Sequence, residues 1–242
     1  MAILAKMIGV AIVHGGAAGG GGDAAVATGK VRRRTKTREA LLLAARTLMV
    51  ARQKDGFTID DVVQLAGVAK GSFYNHFPDK EALADEVYRE TRAKEESEIE
   101  AVNRAVDDPM ARVARAMALY ARLALTSPEE AGIITMGQVS ALSIRSSANA
   151  GLVRDLREGL QAGKIVVPSI EAGAMLVIGQ TAVLMSRLKA PREHGSACDL
   201  AQQCIALTLV GLGLEHRAAH QLSAQAVEGI VRGVLPEGRP PS

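Results

Sequence analysis

From about residue 41 to residue 234 the apolar residues of this chain return every third or fourth position, and no segment shows a convincing strand pattern. A return of 3.6 residues lays one stripe along a helix, whereas a half-buried strand needs a return of 2, so the pattern predicts an all-α fold. Leu41, Ala44, Ala45, Leu48 and Met49 form the first stripe, and Ile59, Val62, Val63 and Ala66 the second. Val113, Ala116, Met117, Tyr120 and Ala124 mark another helix, with further ones expected within 129–142, 149–162 and 222–234. Ile165, Val166 and Val167 resemble a strand, but a lone three-residue run before Pro168 reads as a connector.

Two late helices, 170–188 and 199–214, behave differently. Beyond their main stripes, Leu176 and Val183 add apolar surface to the first, and Leu207, Val210 and Leu214 to the second. A helix apolar around most of its girth is buried centrally or covered by a partner. In a chain of this size the pair predicts a homodimer face. Both helices sit in uncharged runs, 172–186 and 200–214, that are shorter than the roughly 20 residues of a membrane span.

Capping signals are densest between residues 56 and 79. Thr37 is expected to open the first helix and Gly56 to close that region. Thr58 followed by Asp61 has the form of a capping box, Gly67-Val68 permits only a tight turn, and a short helix follows over 69–77. Phe73 and Phe77 fall on one face of it, Pro78 stops it, and Asp79 can cap a long fourth helix. Aromatics are only 2% of the chain, yet Phe57, Phe73, Tyr74 and Phe77 all gather here. With Val68, Phe73 and Phe77 turned inward, the outer face of the short helix carries Lys70, Gly71, Ser72, Tyr74, Asn75 and His76. These donors suit phosphate oxygens and base edges, and a capped helix, tight turn and second helix is the layout that enters a major groove. The charge agrees. Between Lys30 and Lys54 nine basic residues meet one acid, Glu39, while the whole chain carries only +3.

The run from Thr58 to Leu83, with its turn glycine and its Tyr74-x-His76-Phe77-x-x-Lys80 stretch, resembles the DNA-binding domain of the TetR/AcrR family of bacterial regulators. The likeness covers about 35–93, with Gln53 where the family usually has glycine and Met49 where phenylalanine is common. It implies phosphate contacts from Thr58, Tyr74 and Lys80, and base-side positions for Lys70, Gly71, Ser72 and Asn75. His76 would lie on backbone or base, and a basic arm over 31–38 would reach toward a minor groove. It also implies a cytoplasmic repressor acting on a double-stranded operator and released by a small-molecule effector. The expected organisation is a disordered leader over 1–30, a DNA-binding domain over 31–93 with its motif at 58–77, a helical ligand-binding and dimerisation domain over 94–235, and a disordered tail over 236–242.

Met117, Tyr120, Leu123, Met136, Leu142, Leu152, Leu156 and Met175 are the expected lining of an effector cavity. That set is apolar, adaptable and thin in charge, and predicts a small apolar ligand. Other functions find little support. No phosphate loop or nucleophile elbow is present, so the chain does not read as an enzyme. Cys198 and Cys204, six apart, face different sides of a helix and make no metal motif. His216 and His220 stand four apart without a third ligand nearby, so no metal or cofactor is expected and a solvated helix face is the simpler reading. The alternative to a regulator is a helical adaptor that uses the same helical pair to hold a protein. Salt separates the two, because phosphate contacts weaken steeply with ionic strength.

Overall fold

The computed structural model describes residues 22–52, 56–138, 149–190 and 193–232, and all regular structure among them is helical. The first helix, α1 (Gly22–Arg52), starts well before Thr37. Thr37 lies inside it and donates its hydroxyl to the Arg33 carbonyl at 3.0 Å, the bond of a mid-helix threonine and not of a cap. The reason is upstream composition: Ala24, Ala25, Ala27 and the basic residues are good helix formers, and no proline interrupts them. The expected basic arm is therefore helical, and residues 22–30 of the expected leader belong to α1. The remaining leader, 1–21, and the expected tail lie outside the described residues.

Of the next three helices the first and third follow their capping signals, whereas the second, expected over 69–77, ends at Tyr74, before Pro78 is reached. Thr58 accepts from the Asp61 amide at 3.1 Å while Asp61 accepts from the Thr58 amide at 2.8 Å, a closed capping box that starts α2 (Ile59–Ala66). Gly67 ends it at φ 67°, a left-handed conformation that glycine enters without strain, and Val68 donates back to Val63. Then come α3 (Lys70–Tyr74), a turn through Asn75 and His76, and α4 (Lys80–Asn103), whose Asp79 cap accepts from Ala82 at 2.7 Å. Leu41, Ala45, Leu48, Phe57, Val62, Phe73, Phe77, Leu83 and Val87 close over one another as a small core. Phe73 is wholly buried there, which alone contributes roughly 2–3 kcal/mol of hydrophobic stabilisation.

The larger body comprises α5 (Pro109–Thr126), α6 (Pro128–Gln138), α7 (Ala150–Gln161), α8 (Ile170–Leu188), α9 (His194–Gly211) and α10 (His216–Ile230). Its core runs along α5, where Met110, Val113, Met117 and Leu119 meet Leu184 and Met185 of α8, Ile205 and Leu209 of α9, and Val227 of α10. The connector after α7 is anchored at both ends. Ile165 fills the space beside Gly159, where any Cβ would come within 2.4 Å of it, and the Val166 amide donates to the Leu212 carbonyl at 2.8 Å. No clean break separates the two cores. Helix α4 runs unbroken across the expected boundary at 93, and Ile133 of α6 is buried in the small core with the residues of α1–α4.

Candidate nucleic-acid interface and internal cavity

Phe73 and Phe77 fix the outward face of α3. Their rings lie 6.0 Å apart in the small core, and Tyr74 stands edge-on to Phe73 at 5.4 Å with 53% of its surface in solvent. Lys70, Gly71, Tyr74 and Asn75 are exposed, Ser72 and His76 half-buried. All six outward positions thus keep solvent access, while Phe73 and Phe77 turn into the core. Gly71 has open space around it, so its backbone is accessible to a close approach.

Several of these groups already have partners. Lys70 Nζ lies 2.8 Å from Asp60 on α2, and this hydrogen bond holds its pKa above the usual lysine value. Both groups are exposed, so the pair is easily exchanged for another anion. The Thr58 hydroxyl donates to Asp61 Oδ2 at 2.7 Å, so its own proton is committed to the capping box. Lys80, at the start of α4, rests its ammonium over the Phe57 ring at 5.6 Å. Arg38 of α1 stacks on Phe77 at 5.7 Å and is held by Glu86 at 2.5 Å. Partial burial, with Arg34 and Arg38 nearby, lowers the His76 pKa below its ordinary value. Arg32, Arg33, Arg34 and Lys36 extend the positive surface along the exposed stretch 32–36 of α1.

Below this unit, α4, α5, α7 and α8 enclose a cavity of about 80 Å³. Arg92, Glu96, Ile99, Glu100 and Asn103 line it from α4, and Val113, Ala116, Met117 and Tyr120 from α5. Asn149, Leu152, Arg154 and Asp155 come from the α7 side, and Val177, Ile178 and Thr181 from α8. Of the expected lining, Met117, Tyr120 and Leu152 are there. Leu123 and Leu156 are ordinary core, Met175 is 57% exposed on the far side of α8, and Leu142 and the Met136 side chain lie outside the described residues.

The expectation of a lining thin in charge is overturned. Arg92 donates to the Tyr120 hydroxyl and to Glu96 at 2.6 Å, and its guanidinium lies 5.4 Å from the Tyr120 ring centre. Burial raises the pKa values of Tyr120 and Glu96, against the opposing pull of Arg92. Across the cavity Arg112 donates to Asp155 at 2.7 Å. The signal for these residues was present on α4. Thr91, Glu95 and Asn103 continue, at four-residue spacing, the buried register begun by Leu83 and Val87, and Arg92 and Glu96 adjoin it.

A third surface lies on α8 and α9. Val183 (62% exposed), Leu207 (63%) and Met175 join Leu176 and Val210 as exposed large apolar residues. Leu176 packs against Gly211, where a Cβ would come within 2.7 Å of it, so the two helices present these side chains as neighbours. Elsewhere, His216 and His220 are exposed with their rings edge-to-face at 4.6 Å. No group of three metal-capable residues occurs among the described residues, and no described helix is long and apolar enough to cross a membrane.

Residues 41–87 match the family of bacterial regulatory proteins named for tetR. The HTH-type transcriptional repressor KstR2 of Rhodococcus jostii (strain RHA1) is 40% identical over 62 residues, which cover 26% of this chain and 28% of that repressor. Among solved structures, RolR in complex with resorcinol superposes with a TM-score of 0.59 at 23% identity, covering 81% of this chain and 96% of RolR. A gamma-butyrolactone receptor, an ArpA-like protein, gives 0.56 at 17% identity, covering 82% and 99%. At such identities the two structures establish a shared fold.

Proposed function

We propose that this chain, a TetR-family transcriptional regulator, is a repressor that grips a palindromic operator as a homodimer and is released by a small molecule in the cavity. The observation that carries the reading is the set of donors on α3 and its turn, held outward by the buried Phe73 and Phe77. Lys70, Gly71, Ser72 and Asn75 face base edges, while Tyr74, His76 and Lys80 serve the phosphates. Thr58 contributes through the helix end it caps, and meets a phosphate with its hydroxyl only by giving up Asp61. Two copies joined through α8 and α9 would set their α3 helices roughly 34–36 Å apart or a little more, the spacing of successive major grooves.

Helix α4 supplies the link between sites. It carries Lys80 at one end and the cavity residues Arg92, Glu96 and Asn103 toward the other, about 35 Å of rigid helix in all. A ligand that favours one setting of α4 changes the spacing of the two α3 helices, provided it binds the DNA-free form more tightly. The mixed lining favours a compact amphipathic molecule over a purely apolar one. RolR, a structural relative, was solved with resorcinol, a ring of that size class.

The test is operator binding by two variants across sequences and salt concentrations. Lys80→Ala is expected to weaken every sequence alike and lower the salt slope by about 1. Asn75→Ala is expected to lose about 1–3 kcal/mol of discrimination at one base pair. Equal losses on all sequences for both variants, or binding indifferent to salt, would contradict the assignment.

A further inference from the structure

Apart from Glu100, which is exposed, the charged groups that line the cavity are already matched. Arg92 pairs with Glu96 at 2.6 Å, Arg112 with Asp155 at 2.7 Å, and Arg154 stands 3.5 Å from the same Asp155 carboxylate. A charged ligand would have to break such a pair and leave a half-buried ion alone, which is costly. Asn103 is different. Its side chain is nine-tenths buried at the C-terminal end of α4, and its Nδ2 donates to the Arg112 carbonyl at 3.2 Å. That bond fixes the amide, because the reverse orientation would set two acceptor oxygens against each other. Its Oδ1 has no hydrogen-bond partner among the described residues, and Asn103 lines the cavity. A buried acceptor left bare is costly and calls for a donor. Ile99, Val113, Met117, Val177 and Ile178 provide apolar walls beside it.

We infer that Asn103 is the specificity-determining residue of the cavity, and that the ligand is a compact, neutral, largely apolar molecule whose hydroxyl or N–H group donates to Asn103 Oδ1. The inference rests on the cavity being the effector site and names the chemical class that site accepts. It places the recognised polar group of the ligand against α4, the helix that also bears Lys80.

Matched probes test it on the full chain by calorimetric titration. Phenol and cyclohexanol offer the donor. Their methyl ethers, anisole and methoxycyclohexane, keep the ring and remove the donor, and benzoate adds a charge. The hydroxylated probes are expected to bind at least about tenfold more tightly than their ethers, with benzoate weaker than phenol. Asn103→Leu, which keeps the side-chain size, is expected to bring alcohol and ether within about twofold of each other. The inference is overturned if ethers match alcohols in the unmodified chain, if benzoate binds better than phenol, if no hydroxylated probe binds at millimolar concentration, or if a folded Asn103→Leu protein keeps the preference. The unmodified chain decides the donor preference even if the variant does not fold. Release of labelled operator, followed by fluorescence anisotropy, is read separately. Probes that bind with the expected preference but leave the DNA bound would sink the effector reading and leave the ligand class standing.

Discussion

His76 stands where the α3 turn meets the basic half of α1, and burial together with Arg34 and Arg38 lowers its pKa below the ordinary 6.5. It is therefore mostly neutral in the free protein at pH 7. A phosphate beside it would favour the imidazolium and raise that pKa, so the complex would hold a proton that the free protein releases. By linkage, operator affinity then rises as pH falls through the bound-state pKa, and the gain is complete below the free-state value. We expect binding to tighten severalfold between pH 8 and pH 6, and His76→Gln to flatten the profile. Anisotropy titrations at fixed ionic strength measure this, and an equally steep profile in the variant would remove His76 from the phosphate contacts. Sequence alone placed this residue on the outer face but could not weigh its neighbours. Arg34 and Arg38 act on it only because the fold brings α1 beside the turn that follows α3.

At the scale of the element, α4 is a single helix whose one buried register serves two neighbourhoods. Leu83 and Val87 belong to the small core, whereas Glu95 is buried where α4 meets α6. Burial pushes the Glu95 carboxyl up to about 7, helped by Glu98 and by Glu130 of α6, and opposed by Lys94 and by Arg122 of α5. Folded Glu95 thus keeps a proton that the unfolded chain gives up near 4.5. Its contribution to stability is fully present below that value and is lost as pH rises through about 7. Glu95→Gln removes the loss without changing the shape. Thermal melts are expected to show a gain of about 3 °C at pH 8 and little change at pH 5. A gain of the same size at both values would mean that burial, and not ionisation, sets the effect.

For the whole molecule the deciding feature is the apolar patch on α8 and α9. Five large apolar side chains there are exposed in a single chain, an arrangement that soluble proteins usually cover with a partner. Val183→Glu combined with Leu207→Glu is expected to yield a folded monomer by light scattering at micromolar concentration. Operator affinity should fall at least about a hundredfold, because the second half-site is then bound as a separate event. A double variant that remains dimeric would move the interface elsewhere. The exposure of Leu176, Val183, Leu207 and Val210 was foreseeable, since each lies off the main stripe of its helix. That of Met175 was not, because methionine fits either side of such a helix.

What the sequence determined by itself is the part governed by short-range chemistry. Thr58 with Asp61, Gly67 and Asp79 each act within one turn of backbone, so both ends of α2, the turn and the start of α4 could be read before any packing was known, whereas α3 ends at Tyr74, ahead of the Pro78 stop. The late start assigned to α1 failed for a related reason. Thr37 is a competent cap, but nothing local forbids the helix from continuing back to Gly22. Tertiary structure decided the cavity. Arg92, Glu96 and Asn103 lie on a charge-rich helix, and only the arrival of α5, α7 and α8 from far along the chain builds a cavity against them. Burial turns those charges into matched pairs and leaves the Asn103 oxygen bare. The four-residue register from Leu83 and Val87 marks which side of α4 is buried, but the partners that make this environment come from many turns away in sequence.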